Sequence, residues 1–186
     1  MKRLFIAIPT SDEIHQLVNK ISLDLSVLKN SIRFVKPENV HITLKFLGET
    51  EESLVPGIVE AIRSVSSSVE PFVWQCEGTG VFPGMNKPRL LWIGISLGVE
   101  QIKRLGSIID DALFKTGISK EEKNFTAHLT IGRVKYNKIE NDRLKDFLAY
   151  SFFPIQQISD RLVLFKSELS LHGSVYTPIE TFIFRK

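Results

Sequence analysis

The feature that most constrains this chain is that one structural plan occurs in it twice. An apolar run at residues 4–8 is followed by an amphipathic helical stretch and then by Val40-His41-Ile42-Thr43-Leu44-Lys45-Phe46-Leu47. A second apolar run, Leu90-Leu91-Trp92-Ile93-Gly94-Ile95, leads through another helical stretch to Ala127-His128-Leu129-Thr130-Ile131-Gly132-Arg133-Val134. Leu4 precedes His41 by 37 residues and Leu90 precedes His128 by 38. The same order at the same spacing suggests an internal duplication. At 186 residues the chain fits one domain, or two small lobes that share a core.

The remaining elements follow from hydrophobic period and punctuation. Thr10 and Glu13 stand at capping-box spacing before a helical stripe of Ile14, Leu17, Val18, Ile21, Leu25 and Leu28. Residues 32–35 read as a short strand closed by Pro37, and Gly48 reads as the end of the strand that carries His41. A second helix carries Leu54, Ile58, Ile62 and Val65, with Pro56 in its first turn, where no amide bond is lost. In the second half, Ile102, Leu105, Ile108, Ile109, Ala112 and Leu113 line a helix stopped by Gly117. Leu144, Phe147 and Leu148 mark another helix, and residues 152–158, 161–169 and 175–184 read as three further strands.

The chemistry is carried by a repeated pattern, His-apolar-Thr-apolar, at His41-Ile42-Thr43-Leu44 and His128-Leu129-Thr130-Ile131. On a strand, residues i and i+2 share a face, so each motif presents an imidazole and a hydroxyl one way and two apolar chains the other. Two such strands related by a pseudo-twofold axis would gather two imidazoles and two hydroxyls around one point. Hydroxyls donate to an anion's oxygens, and imidazoles serve as acid and base near neutral pH.

Arg133, five residues after His128, suits bidentate phosphate binding. Strict alternation would turn it away from the histidine face, unless the strand ends or bulges around Gly132. Phe46 holds the equivalent place in the first motif and is expected in the core, so the site would be asymmetric. Lys45 shares parity with His41 and Thr43 and is read either as extra positive charge for the site or as a solvated side chain. His15 falls in the first helix and His172 in a polar loop, both outside any motif.

Composition narrows the alternatives. A single cysteine, Cys76, excludes an internal disulfide and a cysteine-based metal site, and its apolar neighbours mark it as a small buried hydrophobe. No acid flanks either histidine motif, and neither His-x-His nor His-x-x-x-His occurs, so no metal ligand set is expected. A net charge of +3 mildly favours an anionic partner. No apolar run approaches the roughly 18 residues of a membrane span, and the opening residues read as a strand rather than a leader, so a cytoplasmic protein is expected.

At these motifs the sequence resembles the two-histidine phosphoesterase superfamily. Within it, the sequence is most similar to the RNA 2',3'-cyclic phosphodiesterases, also known as 2'-5' RNA ligases. The resemblance spans nearly the whole chain, through Arg3-Leu4-Phe5-Ile6-Ala7, both histidine strands, Gly80-Val81-Phe82-Pro83 and Pro88-Arg89-Leu90-Leu91-Trp92. It ends with Ser167-Glu168-Leu169 and Gly173-Ser174-Val175-Tyr176. One departure is Ala127, where the family often has proline.

The resemblance implies an α+β fold, with residues 1–186 forming a single bilobal domain. That domain would be a pseudo-twofold duplication of two antiparallel sheets flanking a central groove, with helices outside. It implies hydrolysis of an RNA 2',3'-cyclic phosphate end, or of a small cyclic nucleotide, to a 2'-phosphomonoester. No metal or other cofactor is expected, and the protein is expected to act as a monomer. His41 would then protonate the leaving 3'-oxygen, His128 would activate water, and Thr43, Thr130 and Arg133 would hold the phosphate. Joining of 2'-5' RNA ends by the reverse reaction, and a non-catalytic RNA-end binding module, are the competing readings.

Overall fold

Apolar runs of alternating period pair into sheets, and helical stripes cover them. The chain runs β1 (Lys2–Pro9), α1 (Asp12–Asp24), β2 (Ile32–Phe34), β3 (His41–Thr50), α2 (Val55–Ser66), β4 (Phe72–Phe82) and β5 (Leu90–Leu97). It continues through α3 (Val99–Phe114), β6 (His128–Val134), α4 (Asn141–Leu148), β7 (Ile155–Ser159), β8 (Arg161–Ser170) and β9 (Gly173–Ile183). The computed structural model describes residues 1–120, 125–135, 139, 141–170 and 173–185. The strands form two antiparallel sheets, one ordered β3-β1-β8-β9 and the other β2-β6-β5-β4-β7. Together with the helices packed around them they make an α+β fold.

The core is the one the periodicity marks out. Ile14, Leu17, Val18 and Ile21 of α1 are buried, as are Ile58 and Ile62 of α2 and Ile102, Leu105, Ile109 and Leu113 of α3. They meet Ile6, Ile8, Ile42, Ile93, Leu129 and Ile131 of the sheets in one hydrophobic cluster. Each such side chain contributes about 1.5–3 kcal/mol by leaving water. Cys76 is wholly buried, and burial pushes its thiol up to about 11, which keeps it protonated and inert.

Three expectations change. The cap of α1 is Ser11, whose side chain accepts from the Ile14 amide, one residue later than the Thr10 cap read from spacing. Thr10 instead donates to the Val40 carbonyl at 2.7 Å. Ile108 sits at the exposed margin of α3 instead of in its buried stripe. Gly48 does not end its strand. Leu4 faces Gly48 and Phe5 faces Phe46, so Leu47 is an extra residue, and Gly48, at φ +67°, lets the chain bend there and go on to Thr50.

A second irregularity decides which side chains reach the histidine face. Ile6 faces Lys45 while Ala7 faces Thr43, so Leu44 is extra in β3. Leu91 faces Gly132 while Trp92 faces Thr130, so Ile131 is extra in β6. An extra residue slips the inside-outside alternation by one position. In β3 the run Leu44-Lys45 is buried and Phe46 turns out; in β6 Ile131-Gly132 is buried and Arg133 turns out.

Candidate active site

Each histidine begins its strand and is fixed by the main chain just before it. His41 Nδ1 lies 2.7 Å from the Asn39 carbonyl oxygen, and His128 Nδ1 lies 2.7 Å from that of Thr126. A carbonyl oxygen only accepts, so Nδ1 carries the proton in both rings, and Nε2 is left with its lone pair for chemistry. The Asn39 side chain also donates to the Ser174 carbonyl at 3.0 Å, tying this approach to the start of β9.

Aromatic rings hold the imidazoles from the side. His41 stacks on Phe5 at 4.8 Å between ring centres and meets the edge of Tyr176 at 5.4 Å. Phe165 stacks on Phe5 in turn, at 5.2 Å. His128 meets Phe82 edge-on at 5.1 Å, and Phe82 packs on Trp92 at 5.1 Å. The Trp92 indole covers Gly80 so closely that an added Cβ there would sit 2.1 Å from a ring carbon. Trp92 Nε1 is buried without a hydrogen-bond partner among the described residues.

Burial costs a charged imidazole its hydration, and both rings are shifted accordingly. His41 is lowered from 6.5 to about 4, first by burial, against the opposing pull of the Asn39 carbonyl, and then by the positive charges of Arg133 and His128. His128 is also lowered, again by burial first, with the Thr126 carbonyl opposing. Strands β3 and β6 belong to different sheets but lie against one another, and this brings Arg133 and His128 near enough to His41 to add to its lowering.

Thr43 and Thr130 are half-buried on the same faces as their histidines, and neither hydroxyl is engaged by another described residue. Arg133 reaches this side through the bulge that Gly132 makes possible: a Cβ at Gly132 would lie 2.9 Å from the Ile32 side chain. The five residues singled out from sequence are therefore brought to one region.

Two others are corrected. Lys45 is buried to 3% exposure, donating to Asp110 at 2.5 Å and to the Ser119 carbonyl at 2.8 Å, because the bulge at Leu44 sends it away from the histidine face. Phe46, expected in the core, is 58% exposed for the same reason, with its ring 6.1 Å from Phe5.

His15 stays outside the site. Its Nε2 donates to Thr10 Oγ1 at 3.0 Å, which places it behind the residue leading into His41. His172 lies outside the described residues. Phe5, Phe82 and Tyr176 enter the sequence reading only as parts of longer stretches, and neither spacing nor period shows them to be neighbours of the imidazoles. Among the described residues no three His, Cys, Asp or Glu side chains gather as a metal ion would require. None of the described helices is long and apolar enough to cross a membrane.

Residues 7–92 match a family model described as LigT like phosphoesterase. The chain is 36% identical to an RNA 2',3'-cyclic phosphodiesterase of Archaeoglobus fulgidus, over 97% of this chain and 99% of that protein. It is 33% identical to an RNA 2',3'-cyclic phosphodiesterase of Aquifex aeolicus, over 97% of this chain and 96% of that one. Among solved structures, a Thermus thermophilus protein shares the fold with a TM-score of 0.81, at 24% identity and 98% coverage of each chain.

Proposed function

The chain belongs to the LigT-like family of RNA 2',3'-cyclic phosphodiesterases, and from that premise we propose that His41 and His128 open a 2',3'-cyclic phosphate at an RNA end without a metal ion. The observation that carries the reading is the matched pair of Nδ1–H to carbonyl contacts. They leave two Nε2 atoms available in a region that also receives Arg133. Residues 1–186 act as one bilobal domain. Its two sheets are related by an approximate twofold, each supplying one His-x-Thr strand to a central groove.

In the reaction, water attacks phosphorus opposite the 3'-oxygen. His128 Nε2 takes the proton of the water as the new P–O bond forms. His41, as imidazolium, gives its Nε2 proton to the 3'-oxygen as the P–O3' bond breaks. The products are a 2'-phosphomonoester and a free 3'-hydroxyl. Thr43, Thr130 and Arg133 bind the non-bridging oxygens, where negative charge is concentrated. In the free protein, burial disfavours a proton on His41 more than on His128. A bound phosphate anion opposes that cost, since a negative charge beside an imidazole favours its charged form.

The test is turnover of a dinucleotide ending in a 2',3'-cyclic phosphate in the presence of a strong chelator, with the product read by phosphorus NMR. More than roughly nine in ten product molecules are expected to carry a 2'-phosphate, a preference that needs only about 1.4 kcal/mol between transition states. No turnover with chelator would overturn the metal-free reading. A 3'-phosphate product would reverse the roles given to the two histidines.

A further inference from the structure

We propose that Arg33 binds the phosphodiester on the 5' side of the terminal nucleotide, so that the site holds an RNA end by two successive phosphates. The inference rests on the phosphodiesterase reading and extends it from the reacting group to the chain that carries it. In the pairing of β2 with β6, Ile32 faces Val134, Arg33 faces Arg133 and Phe34 faces Gly132. Directly opposed residues of an antiparallel pair project from the same face, with Cβ atoms about 5 Å apart. Ile32 is buried and a Cβ added at Gly132 would point at it, so that flanking side of the ribbon is the core side. Arg33 and Arg133 are both exposed and lie on the other side, the face that carries His128 and Thr130.

Two guanidinium groups placed opposite one another destabilise a strand pair unless something negative lies between or across them. Here neither Arg33 nor Arg133 has an ion pair or hydrogen bond to a described residue, although aspartate or glutamate balances many other surface cations, as at Arg161 with Asp160 and Arg185 with Glu70. The pair is thus a pre-built anion site lacking a counter-charge from the protein.

Geometry then says which anion. Arg133 acts on His41 and sits with the reacting phosphate; Arg33 is one strand further out, on the edge strand of its sheet, about 4.8 Å beyond β6. A mononucleotide cyclic phosphate carries one anionic group, which Arg133 takes. An RNA end carries a second anion one nucleotide away, and Arg33 is displaced from Arg133 along the outward direction that a chain leaving the site can follow. A guanidinium suits this task because its fork can bind two oxygens of one phosphate.

The experiment compares adenosine 2',3'-cyclic phosphate with the dinucleotide that ends in the same group, using the wild type, Arg33→Ala and Arg33→Lys. Arg33→Ala is expected to raise KM for the dinucleotide about tenfold with little change in kcat, and to change KM for the mononucleotide less than twofold. Arg33→Lys recovers part of the loss, and the salt dependence of dinucleotide kcat/KM in Arg33→Ala becomes shallower by about one phosphate contact. Equal loss on both substrates would mean that Arg33 shares the reacting phosphate, and no loss on either would make it a plain surface charge; each overturns the proposal. A parallel titration by fluorescence anisotropy uses a 5'-fluorescein trinucleotide with a 2'-phosphate end. If the wild type turns over neither substrate, the phosphodiesterase reading fails, yet this titration still decides the present one. Binding about tenfold weaker in Arg33→Ala sustains it, and unchanged binding overturns it.

Discussion

In β3 the residue that emerges after the bulge is Phe46; in β6 it is Arg133. The residue before it is buried in both strands, as Lys45 in one and Gly132 in the other. Each strand opens on a histidine held through Nδ1 by the carbonyl two residues earlier. The backbone device is therefore common to both strands, and the chemistry delivered by it differs: an apolar ring on one side and a guanidinium on the other. On the proposed reading, a substrate between them would meet a surface for stacking and a fork for anions. That difference is what can orient a nucleotide in a site whose two histidines are alike.

The comparison is tested hardest at the shared positions. His41→Ala and His128→Ala are each expected to lower kcat by roughly 10² to 10⁴. The double variant should fall by less than the product, because the two rings act as a unit. Near-full turnover in either single variant would remove that histidine from the mechanism.

The next largest effect probes the buried residue that β6 lacks. Asp110→Ala strands the Lys45 ammonium in the core, and denaturant unfolding is expected to show a loss of about 3 kcal/mol. Lys45→Met removes the charge together with its need for a partner and should cost much less. Equal losses would mean that packing, rather than charge, governs this contact.

The pH dependence also separates the two rings. His41 is lowered to about 4 from the ordinary 6.5, so the unfolded chain binds more protons across that window. Stability is then complete above about pH 6.5 and is lost as pH falls toward 4, by about 3 kcal/mol. His41→Asn should remove that slope; a slope unchanged in the variant would assign it to other groups. Because His128 is lowered as well, the singly protonated pair is scarce in the free protein above about pH 6.5, and kcat/KM should fall about tenfold per unit there. A kcat/KM that keeps rising to pH 8 would contradict acid–base work by this pair.

The smallest effects sharpen the asymmetry itself. Arg133→Lys keeps the charge and loses the fork, and should weaken phosphate binding by about 1–3 kcal/mol. Phe46→Ala should cost about 1 kcal/mol, seen as a raised KM for nucleotides and not for a cyclic phosphate without a base. If both variants weakened both ligands alike, the two strands would not divide the substrate as proposed.

Much of this is legible in the chain. Helical stripes and strand runs follow solvent exclusion, so the order of elements comes through, and a period of two is enough to put each threonine beside its histidine. What a single strand does not show is how many of its residues face one residue of its neighbour. Arg133 can be anticipated on the histidine face because Gly132 offers a visible place for a bulge. The matching bulge at Leu44 precedes a lysine and leaves no such mark, so the period alone puts Lys45 and Phe46 each on the wrong side. Arg33 escapes a sequence reading because its meaning lies in the register between segments about a hundred residues apart.

The carbonyls of Asn39 and Thr126 have one more consequence. They decide which nitrogen of each ring is reactive, and they do so with an atom that every amino acid possesses. A tautomer chosen in this way is indifferent to the identity of the residues that choose it. Position 126 could be rewritten without losing the carbonyl that faces His128, whereas Asn39 also holds Ser174 through its side chain. Gaining or losing one residue on either approach would offer the imidazole a different partner. What sets the tautomer at these two places is a length of chain, and the side chain at position 39 has a separate task.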